Sequence, residues 1–159
     1  MGVRVERGVE QGMTTRRPGV PPAALAADAV LGANQAFYEA FNTRDAAAMD
    51  RLWSGEAPVV CVHPGWNPLT TREEILASFA AILANPEAPQ LECEDPEALL
   101  HGDFALVVCH ERVEGALLAC VNGFRLEDGV WRMILHQAGP VGEEPTRRPA
   151  FAFRSGRIH

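Results

Sequence analysis

An α+β fold, with helices first and an antiparallel meander after them, is what this sequence predicts, and three observations carry that reading. Up to about residue 85 the apolar residues recur at helical spacing; from Gln90 onward they run at strand spacing between short glycine turns. At 159 residues, 47% hydrophobic and 22% charged, the chain has the size and mixture of one domain with its own core.

Val30, Leu31, Asn34, Phe37, Tyr38 and Phe41 predict a helix from about Ala24 to Asn42. Asp45 is placed to cap a short second helix whose Met49, Leu52 and Trp53 share one face. The β-branched run Pro58 to His63, stopped by Pro64-Gly65, reads as a short strand and turn, and a loop with Trp66 and Asn67 follows. Thr71 and Glu74 make a capping box for a third helix with the apolar stripe Ile75, Leu76, Phe79, Ile82, Leu83, ended by Asn85-Pro86. Four strands are then expected at Leu91 to Leu100, Phe104 to Val113, Ala116 to Glu127 and Val130 to Ala138. His101-Gly102-Asp103, Glu114-Gly115 and Asp128-Gly129 turn between them. Residues 1–22, punctuated by Pro18, Pro21 and Pro22, read as a flexible extension, residues 23–140 as the domain, and residues 141–159, with Phe151 and Phe153, as a tail.

Charge narrows the partners. Each end is +2, whereas residues 23–140 hold six Arg against seventeen acids, so an acidic body would repel a phosphate backbone and no nucleic-acid partner is expected. The longest apolar runs, such as Ala116 to Val121, cover six residues, far short of the roughly 20 that cross a bilayer. No membrane partner is expected, and with Arg and Glu where a signal peptide needs an apolar centre, the expected location is cytoplasmic. Cys61, Cys93, Cys109 and Cys120 lack paired C-x-x-C spacing and read as buried thiols. The Glu114-Gly115 turn sets Cys109 across from Cys120, within reach of a disulfide that a reducing compartment disfavours.

The order helix, helix, strand, helix and four strands, together with Phe37-Tyr-Glu-Ala-Phe-Asn42, Asp45, Cys61-Val-His-Pro-Gly-Trp66 and Trp131-Arg-Met-Ile-Leu-His-Gln-Ala138, resembles the SnoaL-like branch of the nuclear transport factor 2-like superfamily. That resemblance spans about residues 25–140 and implies a curved antiparallel sheet wrapped around the three helices. It also implies a cone-shaped pocket and frequent homodimers. Enzymes and non-catalytic modules share this scaffold, so the fold does not choose the function. A looser similarity to ketosteroid isomerases, aligned on Asn42, Asp45 and Phe124-Arg125, puts His63-Pro64 near the place of the general base and Asn122 at that of an oxyanion donor. Phe37 stands at the tyrosine position, with Tyr38 beside it, and the two acids of that activity are missing.

Strand alternation sorts the candidates. A regular hairpin at Asp128-Gly129 sets Asn122 opposite Leu135 and Cys120 opposite Gln137. Trp131, Met133, Leu135 and Gln137 then share a face with Cys120, Asn122, Phe124, Val107, Cys109 and Glu111, and Arg125, Arg132, His110 and His136 take the other. The first face is assigned to the pocket, being apolar with a few separated polar groups. His63, at a strand end beside a Pro-Gly turn of the kind that often opens into a pocket, is a general base or a turn-stabilising histidine; Asn122, on the pocket face, is a hydrogen-bond donor or a satisfied core amide. Glu111 is a desolvated acid or a solvated hairpin residue. Phe37, Tyr38, Trp53, Trp66, Glu111 and Gln137 are expected to contact the ligand, although aromatics at helical spacing also serve as plain core. His110 and His136 share a strand face with no third ligand apparent, so no metal and no cofactor is expected. The expected function is binding of a small apolar molecule, with cofactor-free isomerase, lyase or hydrolase chemistry from His63 and Asn122. The alternative is a non-catalytic homodimerisation or ligand-sensing module. A homodimer through the outer sheet face is expected in either case.

Overall fold

The computed structural model describes residues 22–142, so the expectations for residues 1–21 and 143–159, the docking of Phe151 and Phe153 included, lie outside the described residues. The elements run α1 (Pro22–Asn42), α2 (Ala46–Leu52), β1 (Val60–Val62), α3 (Arg72–Ala84), β2 (Leu91–His101), β3 (Phe104–Val113), β4 (Ala116–Glu127) and β5 (Val130–Pro140). This is the order the periodicities predict. The first helix starts two residues before the expected Ala24, at Pro22, a residue whose fixed φ suits a first helical turn.

One five-stranded sheet has the order β1-β5-β4-β3-β2. The meander β2 to β5 is antiparallel, and the three-residue β1 adds to β5 in parallel, with Cys61 opposite His136. The sheet is curved and unclosed around the three helices. Helix ends are tied as the sequence proposes: Asp45 accepts from the amide of Ala48 at 2.8 Å, and Thr71 and Glu74 exchange both bonds of the capping box. After α1, Asn42 pairs both side-chain atoms with the backbone of Leu91, at 2.8 and 2.9 Å, fixing where β2 begins. Arg44, with φ 58°, reaches the carbonyls of Asn85, Pro86 and Ala88 and joins the α1–α2 corner to the α3–β2 turn.

The core lies between the concave sheet face and the helices. From α1 come Val30, Asn34, Phe37, Tyr38 and Phe41, and from α3 Ile75, Ser78, Phe79 and Leu83. The sheet adds Ala105, Val107, Cys109, Glu111, Cys120, Asn122, Phe124, Trp131, Met133, His136 and Ala138. On β3 burial alternates strictly, and Cys109 stands opposite Cys120 as the Glu114-Gly115 turn dictates. All four cysteines are free thiols.

The β4–β5 register departs from the regular hairpin. Glu127 to Phe124 pair with Val130 to Met133 as expected, but between Gly123 and Phe124 the register shifts, so that Gly123 faces Leu135 and Asn122 faces His136. Ile134 is the extra residue of a β-bulge. A shift of one residue exchanges the two faces for everything beyond it. Leu135 and Gln137, expected on the inner face, therefore point outward, and His136, expected outside with His110, lies inside at 4% exposed. Gly123 permits this close approach: a Cβ there would sit 2.9 Å from Leu135 Cβ, a contact that moves backbone and not merely a side-chain tip.

Candidate functional site

The bulge assembles a buried polar cluster in an otherwise apolar interior. Asn122, fully buried on β4, donates its amide to Asn34 Oδ1 at 2.8 Å and to the Tyr38 hydroxyl at 3.3 Å. Its Oδ1 lies 2.7 Å from His136 Nδ1. An amide oxygen only accepts, so His136 carries its proton on Nδ1 and keeps a lone pair on Nε2. Tyr38, accepting from Asn122, donates to Glu111 Oε1 at 2.8 Å. Asn34 completes the chain toward the half-buried Cys93, at 3.6 Å.

Across the interior, the Pro64-Gly65 turn, with Gly65 at φ 80° and the Trp66 amide bonded to the His63 carbonyl at 2.9 Å, sets His63 at the end of β1. Cys61 and His63 alternate onto the same inner face, and Cys61 is paired with His136, so the two imidazoles approach to 6.3 Å between ring centroids. Phe79 meets His63 edge-on at 5.0 Å, and Phe37 lies 4.9 Å from His136. Ser78 gives its hydroxyl proton to the Ile75 carbonyl at 2.7 Å, so it accepts from His63 Nε2 at 2.9 Å. The lone pair of His63 is thereby on Nδ1.

Burial sets the protonation states. It lowers His63, and it lowers His136, with help from the neighbouring His63, to about 3, so both rings are neutral near pH 7. Burial raises the Glu111 carboxyl, against the lowering hydrogen bond from Tyr38, and it raises the Tyr38 phenol well beyond its usual range. The cluster thus pairs two neutral bases with a carboxyl shifted toward its proton-holding form.

Of the eight candidates read from the sequence, five meet here: His63, Asn122, Tyr38, Glu111 and Phe37. Asn122 has both amide hydrogens and its oxygen engaged within the chain, so as the interior stands it organises neighbours and has no free N–H for a ligand. Trp66 is 52% exposed and covers His63 edge-on at 4.9 Å. Trp53 is core, 6.1 Å from Phe79, and its Nε1 has no partner among the described residues. Gln137 is exposed on the outer face and does not belong to the cluster, for the reason of register given above.

Three members escaped sequence reasoning. His136 was hidden by the bulge, for which an isolated glycine inside a strand is the available signal. Asn34 and Ser78 are polar residues on apolar helical stripes, a signal that was present and is explained by their partners.

Two surface hollows lie at the rims. One, of about 360 Å³, is lined by Asp50, Trp53, Arg72, Glu127 and Arg132 among others; the second, of about 320 Å³, by Gln90, Glu92, Arg112 and their neighbours. Neither is lined by His63, Asn122 or any other member of the cluster. Among the described residues no helix is long and apolar enough to cross a membrane.

Comparison with known proteins agrees with this architecture. The SnoaL-like domain family matches residues 30–141. A structure from Streptomyces avermitilis, named a "putative dehydratase from the NTF2-like family", is 34% identical with a TM-score of 0.70 and covers 76% of this chain and 99% of its own. A "putative calcium/calmodulin-dependent protein kinase type II association domain" from Thiobacillus denitrificans is 25% identical, covers 70% of this chain and 94% of its own, and has a TM-score of 0.63. An uncharacterized protein with a cystatin-like fold from Caulobacter vibrioides, 20% identical over 72% of this chain and 89% of its own at a TM-score of 0.64, shares the fold. No functionally curated protein is similar enough to count as a match.

Proposed function

The chain belongs to the SnoaL-like domain family, and from that premise we propose that it binds a small apolar molecule against the buried His63, beneath the Trp66 turn, and acts on it by acid–base chemistry of the lyase kind. The observation that carries this reading is the pairing of neutral His63 and His136 with a Tyr38–Glu111 hydrogen bond inside one apolar cone. Well-packed apolar side chains would fill a core as well as so many desolvated polar groups, whereas an acid–base site needs them. The similarity to a protein called a dehydratase favours loss of water over the other reactions the fold hosts.

In a dehydration, His63 Nδ1 takes a proton from the carbon beside a carbonyl, the electron pair forms the new double bond, and the β-hydroxyl departs as water with a proton given by Glu111 in its protonated form, the form that burial favours. Solvent then returns the proton from His63 to Glu111. Asn122 fixes His136 and Tyr38 in place and is a positioning residue. Because His63 is only 6% exposed, the substrate reaches it when the Trp66 turn swings aside.

A panel of small β-hydroxy ketones tests this. The expected result is a rise in melting temperature with at least one of them and formation of the conjugated enone, with kcat lowered by roughly 10²–10⁴-fold in His63→Ala. Binding and turnover unchanged in His63→Ala would remove the site.

The second reading, a non-catalytic association or ligand-sensing module, draws on the near-complete burial of the cluster and on the similarity to a protein called an association domain. Both readings include a homodimer through the outer sheet face, where half-buried Leu106, Val108, Val121 and Leu135 form an apolar surface. Light scattering is expected to return twice the chain mass, and Val121→Glu to return the single mass; a monomeric parent protein rejects the interface.

A further inference from the structure

We propose that Glu111, Cys120 and His136 form a buried site for one soft divalent cation of the Zn²⁺ class. Their carboxylate oxygen, sulfur and imidazole nitrogen all lie within 4.8 Å of one another, and the three side chains are 2–4% exposed. They come from three adjacent strands, β3, β4 and β5, and meet on the inner face only because the bulge at Ile134 turns His136 inward. This goes beyond the acid–base reading and does not depend on it, since it requires no turnover.

The donor set selects the cation. Thiolate, imidazole and carboxylate are the three ligand types that Zn²⁺ takes, whereas Mg²⁺ and Ca²⁺ want oxygens alone. Bonds of about 2.0–2.3 Å to one tetrahedral ion would bring the ligand atoms to roughly 3.3–3.8 Å from one another. His136 Nδ1 and Cys120 Sγ are already at 3.9 Å, so side-chain rotation closes the rest. The Tyr38 hydroxyl, 2.8 Å from Glu111 Oε1 and 3.7 Å from Cys120 Sγ, borders the fourth position.

A second observation points the same way. Glu111 is a buried carboxyl with no cationic partner among the described residues, where the two ion pairs, Arg72–Asp50 and Arg112–Glu94, are both at the surface. Buried carboxylates are neutralised by a proton, a paired cation or a metal. One divalent ion held by the Cys120 thiolate and the Glu111 carboxylate is a neutral assembly that suits an apolar interior. Forming it releases the thiol proton and any proton on Glu111. It also needs the other tautomer of His136, because the proton now on Nδ1 is given to Asn122 Oδ1. The cation and the hydrogen-bond network therefore exclude each other, and metal occupancy becomes a way to regulate whatever the cluster does.

Cobalt(II) added to the chelator-treated full chain, in the native state and during refolding, tests this. One Co²⁺ per chain is expected, with a thiolate-to-cobalt charge-transfer band in the near ultraviolet and the intense visible bands of a four-coordinate ion, displaced by Zn²⁺. Cys120→Ser abolishes the charge-transfer band; Cys109→Ser and Cys93→Ser keep it. Absence of the band in the parent protein overturns the proposal, and so does its survival in Cys120→Ser. Should Cys120→Ser not fold, loss of the band in Cys109→Ser or Cys93→Ser overturns it equally. Because the readout is spectroscopic and needs no substrate, failure here leaves the acid–base reading standing, and failure of turnover leaves this one standing.

Discussion

Asn122→Ala is expected to lower the unfolding free energy by about 3–5 kcal/mol, the largest effect of any single polar substitution in this chain. Asn122 is at 0% exposure and serves four partners at once, Asn34, Tyr38, His136 and the Cys120 thiol that donates to its Oδ1 at 3.6 Å. Truncation leaves His136 Nδ1–H without an acceptor and Asn34 Oδ1 without a donor, both in the sealed interior, and each orphaned group costs roughly 1–3 kcal/mol. The Tyr38 oxygen suffers less, since it keeps its own bond to Glu111. Gln137→Ala is the matching control. It sits one residue from His136 but on the outer face, exposed, and is expected to change stability by no more than about 0.5 kcal/mol. Urea denaturation of the two variants reads the difference directly. If Asn122→Ala falls within about 1 kcal/mol of the parent, the network described above does not hold the interior together.

Acidification is the second large effect. An imidazole that is free in the unfolded chain binds a proton below its ordinary value of 6.5, while buried His136 resists until about 3. Between those two pH values the unfolded state holds the extra proton, so stability present above pH 6.5 is lost as pH falls, by about 1.4 kcal/mol per pH unit and on the order of 5 kcal/mol in all. His63, lowered by burial, acts in the same direction. Glu111 acts in the opposite one. Its raised carboxyl contributes stability that is complete below the ordinary 4.5 and is lost as pH rises through the folded value, so it softens the acid limb without reversing it. His136→Gln keeps an N–H for Asn122 but cannot be protonated. Denaturation midpoints measured from pH 7 to pH 4 are expected to fall steeply for the parent protein and less steeply for His136→Gln, and parallel curves would mean that His136 is not desolvated.

Legibility in the sequence followed the range of the forces involved. The order of elements, the Asp45 cap, the Thr71–Glu74 capping box and the pairing of Cys109 with Cys120 depend on residues a few positions apart or across a two-residue turn, and periodicity reports them. The inner face of β3 was legible for the same reason, because strict alternation needs only the strand itself. His136 was not. Its side depends on whether β5 accommodates an extra residue opposite Gly123, and that is decided by contact between Leu135 and a neighbouring strand that local pattern does not include. Among the site candidates, His63 gained meaning only when Ser78 fixed its proton, and Glu111 only when the helix placed Tyr38 against it.

By itself, then, the chain determined its class: three amphipathic helices and a hairpin meander, with an acidic body and no long apolar segment, all consequences of local spacing and composition. Tertiary structure alone decided the chemistry of the interior. Protonation, tautomer and hydrogen-bond partner are set by what stands within about 3 Å of an atom and by how much water is excluded there. Residues 34, 38, 111, 122 and 136 become neighbours only after the sheet curls round the helices, with its bulge in place.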